Sequence, residues 1–182
     1  MTIRLRVLAC TALCAVLAVP AFAQQNSDTG GALPQSDVSG TLTQSDVMAF
    51  QSDEARLRME DMAASLVSTL RSGQITVRGG QPISVPGPLA AYLTAAPTNA
   101  TAQPIADRLV AAGLARSSAQ ALAEAGAGLL HEQEVAPEQV AAALQAYNAA
   151  VETAPTLILA RPPAEMLVLR AVLVSLLEGA AE

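Results

Sequence analysis

Both cysteines of this chain, Cys10 and Cys14, fall within its first 23 residues, and those residues read as an export signal. Arg4 and Arg6 make a short basic start, an apolar run extends from Val7 to Val19, and Pro20 leads into Ala21-Phe22-Ala23, an A-x-A cleavage site. Cleavage after Ala23 is expected, giving a mature chain that starts at Gln24 and contains no cysteine. That is the strongest constraint on folding. An exported domain without disulfides must be held by packing and by local helix propensity.

The apolar run is too short for a permanent anchor, since a spanning helix needs ~20 apolar residues. Lipid attachment is disfavoured as well. Cys14 follows the bulky Leu13 where a lipobox takes a small residue, and Cys10 has almost no apolar segment before it. The apolar, A-x-A-ended signal is of bacterial type, with the periplasm or the exterior as destination. Of the 182 residues, removal of 23 leaves 159, enough for one domain with a real core.

Cleavage also changes the charge. All ten basic residues are Arg, and losing Arg4 and Arg6 leaves eight against 16 Asp and Glu, so the balance moves from -6 to -8. An acidic exported chain has no counterion-release drive toward nucleic acid and no attraction to anionic lipid surfaces. The Arg-only usage, with the high Ala content, reads as biased genome composition.

Residues 24–44 are mainly Gln, Ser, Asp, Thr and Gly, which bury too little to offset the entropy of ordering, and they read as a flexible leader. Gln-Ser-Asp recurs at 35–37, 44–46 and 51–53, an irregular spacing that suits cap-forming and turn-forming residues around a helix start. Residues 45–182 read as a single helical domain. Its first helix starts at Ser45 or at Ser52 and ends near Ser72, with Gly73 as the stop. Met48, Ala55, Met59, Met62, Leu66 and Leu70 mark a buried stripe at helical spacing. Glu54 with Arg58 and Arg56 with Glu60 are four-apart ion pairs on the wetter side.

Residues 74–85 alternate around Gly79-Gly80 and predict a β-hairpin. A loop of two residues would split the apolar side chains between faces. An odd loop centred on Gly80 pairs Val77 with Ile83 and Ile75 with Val85, gives one apolar face, and predicts a loop of three or five residues. An isolated hairpin is marginal in water, so it needs a helix to lie on or another strand. The run from Thr156 to Ala160, between Pro155 and Pro162, is the internal candidate for that strand.

The remaining pattern is helical. A short helix runs from about Pro88 to Ala95, and another from Ile105 to Ala112 is closed by Gly113, with Leu114 folding back as in a Schellman stop. Ser117 or Ser118 caps a third, running to about His131, on which Gly126 and Gly128 mark a close contact. Pro137 opens a helix with Val140, Leu144, Tyr147 and Val151 as its stripe. The last, from Pro163 to Glu178, is apolar on nearly every side and is either buried all round or docked on a partner. Arg170 interrupts it, and its length falls short of a ~30 Å bilayer core. Phe50, Tyr92 and Tyr147 are the only aromatics after Ala23, so Leu, Val and Ala must fill the core.

Catalytic chemistry finds little support. His131 is the single histidine, and the neighbouring Glu132 and Glu134 lie in an exposed acidic stretch, whereas a zinc site takes three or four converging ligands. Ser117 and Ser118 sit at a cap with no glycine-framed elbow, about a helix length from His131. Asp53 with Glu60 reads as a solvated helix face. Met48, Met59 and Met62 share a helix side and could serve Cu(I), but the same stripe is what a core-facing helix shows. Asp107 to Leu122, turning at Gly113-Leu114, partly resembles a DNA-binding helix-turn-helix, which an exported acidic domain cannot use. Asn99-Ala100-Thr101 matches a glycosylation acceptor that carries no weight in a bacterial setting.

The expected fold is therefore mostly α, a small domain of five to six helices with one β-hairpin after a flexible leader, with no cofactor, no metal, no nucleic-acid partner and no transmembrane segment after cleavage. The expected function is an exported, non-enzymatic interaction or structural protein of the bacterial cell envelope, contacting another envelope protein or itself. Candidate partner-contact residues are Ile75, Val77, Ile83 and Val85 on the hairpin and Met166, Leu169 and Leu173 on the last helix. The alternative is a carrier for an apolar small molecule or lipid held between helices.

Overall fold

The computed structural model describes residues 52–77 and 79–181; the signal and leader readings, Ser45 and Met48 lie outside them. The described chain is mostly helical, with seven α-helices and one hairpin, in the order α1 (Asp53–Arg71), β1 (Gln74–Ile75), β2 (Ile83–Ser84), α2 (Gly87–Thr94), α3 (Asn99–Ala112), α4 (Arg116–Gly126), α5 (Pro137–Thr153), α6 (Thr156–Ala160) and α7 (Ala164–Ala181). Helix α1 packs on α7, α7 on α5, α5 on α4 and α4 on α3, while α2 packs on α1 and α3.

Helix α1 starts at the second of its two candidate caps. The Ser52 hydroxyl accepts from the Ala55 N–H at 3.1 Å, satisfying one orphan donor of the first turn. Gly73, at φ +81°, follows the helix in the left-handed region that glycine adopts freely. Ala55, Met59, Leu66 and Leu70 are buried as the stripe requires, joined by Ala63 and Val67, while Met62 stays partly buried. Of the ion pairs, Arg56 and Glu60 meet at 3.6 Å on an open surface, worth tenths of a kcal/mol.

The hairpin has the expected odd parity and single apolar face, but its register is shifted by two residues. Ile75 pairs with Ile83 and Gln74 with Ser84, and the Val85 N–H donates to the Gly73 carbonyl at 2.8 Å in the same register. Pairing ends at Ile75 and Ile83, so the connection is longer than the expected three or five residues and the Val77–Ile83 and Ile75–Val85 pairs are corrected. The cause is which glycine turns the chain. Gly79 is left-handed at φ +73°, and the Gly80 N–H closes the turn onto the Val77 carbonyl at 2.8 Å. The turn therefore centres one residue earlier than Gly80.

No third strand joins this sheet among the described residues. Thr156–Ala160, the expected strand candidate, is instead the five-residue helix α6, started by the Pro155 carbonyl accepting from Ile158 at 2.9 Å and from Leu159 at 3.3 Å. Only Ile158 of that run is buried, and a short apolar run does not distinguish strand from helix by periodicity.

Two helix starts also differ. Helix α3 begins at Asn99 rather than Ile105, because Thr98 and Thr101 build a reciprocal capping box: the Thr98 hydroxyl accepts from the Thr101 N–H at 3.3 Å. Pro104 then lies inside the helix, where it has no N–H to give the Ala100 carbonyl. The Schellman stop is as expected, with Leu114 N–H to Leu109 carbonyl at 3.0 Å, Gly113 N–H to Val110 carbonyl at 2.9 Å, and Leu114 buried. It leaves so short a connection that α4 begins at Arg116 behind Ala115, which makes no side-chain cap. Ser118 therefore does not cap. Its hydroxyl meets that of Thr153 on α5 at 3.0 Å.

Helix α4 ends at Gly126, not His131. Residues 127–136 form a strap whose Ala127, Leu129, Leu130 and Val135 are buried. The Gly128 N–H donates to the Tyr92 carbonyl at 3.0 Å and the Leu130 N–H to the Leu93 carbonyl at 2.9 Å. These strap amides close the last carbonyls of α2, which has no following turn to do so. Helix α5 opens on Pro137 and buries Val140, Leu144, Tyr147 and Val151. Helix α7 buries ten residues, Met166, Leu169 and Leu173 among them, against α1, α5 and β2, so its all-round apolarity is answered within the domain.

Candidate functional site

Every fully buried side chain among the described residues is apolar or a tyrosine, and two arginines on the helices reach inward far enough that the Nε atoms of Arg58 and Arg170 are buried without a hydrogen-bond partner. Tyr92 and Tyr147 supply buried hydroxyls. The Tyr92 hydroxyl donates to the Ala123 carbonyl at 2.6 Å, in the last turn of α4. Burial pushes both phenols well above their ordinary range; for Tyr147 the nearby Arg170 guanidinium opposes the rise. Both hydroxyls are thus acids held neutral, suited to donating a structural hydrogen bond rather than to proton transfer near neutral pH.

The residues weighed for chemistry are dispersed. His131 begins a short 3-10 turn, His131–Gln133, with its Nε2 at 3.5 Å from Glu132 on an open surface. Glu132 and Gln133 are left-handed, at φ 54° and 66°. No group of three or more metal-ligating His, Cys, Asp or Glu side chains forms among the described residues. Met59 is sealed in the core and Met62 packs on Gly179 of α7. Asp53 is exposed and Glu60 faces Arg56. Asp107 to Leu122 is the α3–α4 corner, its surface pairing Asp107 with Arg116 at 3.9 Å.

The seven candidate partner-contact residues lie at or under the surface of the same core. Ile75, Val85, Met166, Leu169 and Leu173 are buried, and Val77 and Ile83 are partly buried against them. In the folded chain the hairpin's apolar face rests on the helices, so accessible apolar surface is found elsewhere.

It is found in three places. Leu57 on α1 is 58% exposed and Leu157 on α6 is 74% exposed. Between α2 and α3 runs an open groove of about 340 Å³, with Tyr92 and Ile105 as its floor and Pro88, Ala91, Ala100, Pro104 and Arg108 around its rim. Its polar groups are committed to the fold. The Thr101 hydroxyl donates to the Thr98 carbonyl at 2.8 Å, and Arg108 Nε sits 3.0 Å from Glu165 in the first turn of α7. What the groove offers a visitor is mainly apolar. A second hollow of about 210 Å³ between α3 and α4, lined by Asn99, Gln103, Gln120 and Glu124 among others, is more polar.

Sequence reasoning did not find the groove because its walls depend on α3 starting at Asn99. Once Thr98 caps the helix, Ala100 and Pro104 fall one turn apart on one side and face Pro88 and Ala91 across the gap. The signal was present in the Thr98/Thr101 spacing, but with Thr rather than Glu or Gln at the third helical position. No protein-family model matches the chain, and neither a curated protein nor a solved structure shows significant similarity to it.

Proposed function

We propose that this chain is an exported, non-enzymatic interaction or structural protein of the bacterial cell envelope, cleaved after Ala23 and working in the periplasm or outside the cell. The observation that carries the reading is the distribution of polarity: Ser52, Thr98 and Tyr92 serve caps and a helix tie, while Leu57, Leu157 and the α2–α3 groove leave apolar surface open. Among the described residues no helix is long and apolar enough to cross a membrane, so contact with a partner would be made from the domain surface. The test is photo-crosslinking from a reactive residue placed at Leu157 or Ala91 in a bacterial host, with N-terminal sequencing of the exported fraction. A discrete crosslinked envelope protein and a chain beginning at Gln24 are the expected results. No crosslink at either position, or a chain retained uncleaved in the cytoplasm, would overturn the reading.

A second reading, a carrier for an apolar small molecule, is favoured by the groove alone. Its volume lies at the lower end of the ~300–1,000 Å³ typical of ligand pockets, and its lining is apolar. Mass spectrometry of the purified mature chain should then find a co-purifying apolar compound, and Ala91→Trp, which fills the groove, should remove it. A clean protein spectrum with no uptake of a fluorescent fatty acid would exclude the carrier.

A further inference from the structure

The described residues contain no cysteine, so methionine is the only sulfur through which this fold can sense an oxidant. Three methionines are described, and they differ. Met59 and Met166 are completely buried, whereas Met62 is partly exposed at the contact between α1 and α7. Its partner there is Gly179. A Cβ placed on Gly179 would lie 3.3 Å from Met62 Cε, 3.4 Å from its Cβ and 3.5 Å from its Cγ, so the side chain is laid along the backbone of α7. The thioether sulfur, bonded to both Cγ and Cε, is held in the same contact.

We propose that Met62 is a peroxide-sensitive latch between the first and last helices. In the reaction the sulfur attacks one oxygen of hydrogen peroxide; an S–O bond forms, the O–O bond breaks, and water leaves. Sulfur is oxidised by two electrons and the peroxide oxygens are reduced. The product is a polar sulfoxide where an apolar side chain had covered a glycine. Helix α7 offers it no backbone donor, since the N–H groups in that stretch are bound within the helix. The oxide must therefore turn to water or separate the helices. Either movement removes the cover from Gly179 and loosens α7, the helix that buries most of its surface inside the domain. Met59 and Met166 are shielded until the domain opens.

The experiment treats the full mature chain with hydrogen peroxide, maps oxidation by tandem mass spectrometry, and follows thermal unfolding. Met62 should oxidise at least about tenfold faster than Met59 and Met166, a ratio that corresponds to a difference of only ~1.4 kcal/mol in access. Tm should fall by several degrees and recover after treatment with methionine sulfoxide reductases. Met62→Leu, close in volume, should melt like the untreated chain and lose the peroxide response. Equal oxidation rates at the three sites would overturn the proposal. So would an unchanged Tm with Met62 fully oxidised, or a peroxide response that persists in Met62→Leu and traces to Met48. Should Met62→Leu fail to fold, reversal of the Tm shift by the reductases decides.

Discussion

The α1–α7 contact and the strap over α2 hold the same domain by different means. Across α1–α7 the contact is side-chain volume: α1 buries Met59, Ala63, Leu66 and Leu70, the α7 it packs on buries ten residues, and Gly179 provides the space that Met62 fills. Along the strap the contact is backbone. Gly128 and Leu130 bond the Tyr92 and Leu93 carbonyls, Gly128 sits against the Ala95 carbonyl where no side chain fits, and just before the strap, at the end of α4, Gly126 lies under the Tyr92 hydroxyl that reaches Ala123. Volume tolerates exchange of one apolar residue for another, whereas a backbone contact accepts nothing larger than hydrogen. The strap even carries Glu132 and Gln133 in the left-handed region, which costs roughly 1–2 kcal/mol per residue. Burial of Leu129 and Leu130 offsets that, since each fully buried leucine stabilises by about 1.5–3 kcal/mol.

The contrast breaks first where volume is removed. Leu173→Ala should destabilise the domain by about 2–5 kcal/mol in denaturant unfolding, since the leucine is completely buried in α7. A loss below ~1 kcal/mol would mean that α7 is not the centre of the core. Gly128→Ala tests the other side. Its Cβ would lie 2.7 Å from the Ala95 carbonyl oxygen and 2.8 Å from Pro97 Cδ at a residue with φ +67°. Overpacking and left-handed strain together predict a loss of about 2–4 kcal/mol. The same substitution at Gly87, which has open space around it, should have little effect by comparison.

The pH dependence sharpens the comparison because both buried tyrosines are raised. Below pH ~10 each is protonated in the folded and unfolded states alike, so neither makes stability depend on pH. Above it the unfolded chain releases protons that the folded chain retains, and stability falls as pH rises. Unfolding measured from pH 8 to 11 should show that decline, and Tyr92→Phe should make it shallower. The smallest effect is expected at Glu132→Gly. Relief of left-handed strain is partly cancelled by the entropy of the extra glycine, for a net gain of up to about 1 kcal/mol. A loss of stability would show that the Glu132 side chain contributes to the strap.

The two regions also differ in how far they can be read from residues alone. Helix stripes and the Schellman stop at Gly113 follow from spacing and from glycine placement, because side-chain volume leaves a periodic trace, whereas the all-round apolarity of α7 left open whether the domain or a partner covers it. The strap leaves none. Gly126 and Gly128 signal a close approach but not its partner, since Tyr92 is more than thirty residues away and bonds through a hydroxyl to a carbonyl every residue has. Thr156–Ala160 became a helix because the preceding proline carbonyl starts a turn, a choice that apolar content does not reveal. The hairpin register turned on which of two adjacent glycines took positive φ. The groove went unseen for a related reason, because Pro104 reads as a loop residue until the Thr98 cap carries the helix past it.

The most direct test of how α4 is tied to α2 beside the strap is a double-mutant cycle between Tyr92 and Gly126. A Cβ on Gly126 would lie 2.6 Å from the Tyr92 hydroxyl oxygen, the atom that also bonds Ala123. Gly126→Ala alone should destabilise by about 1–3 kcal/mol through overpacking. Tyr92→Phe alone should lose about 1–2 kcal/mol with the buried hydrogen bond. The double variant lacks the clashing oxygen, so its loss should be smaller than the sum by at least ~1 kcal/mol. Strict additivity would contradict the account, showing that Gly126 and the Tyr92 hydroxyl do not share the contact that ties α4 to α2.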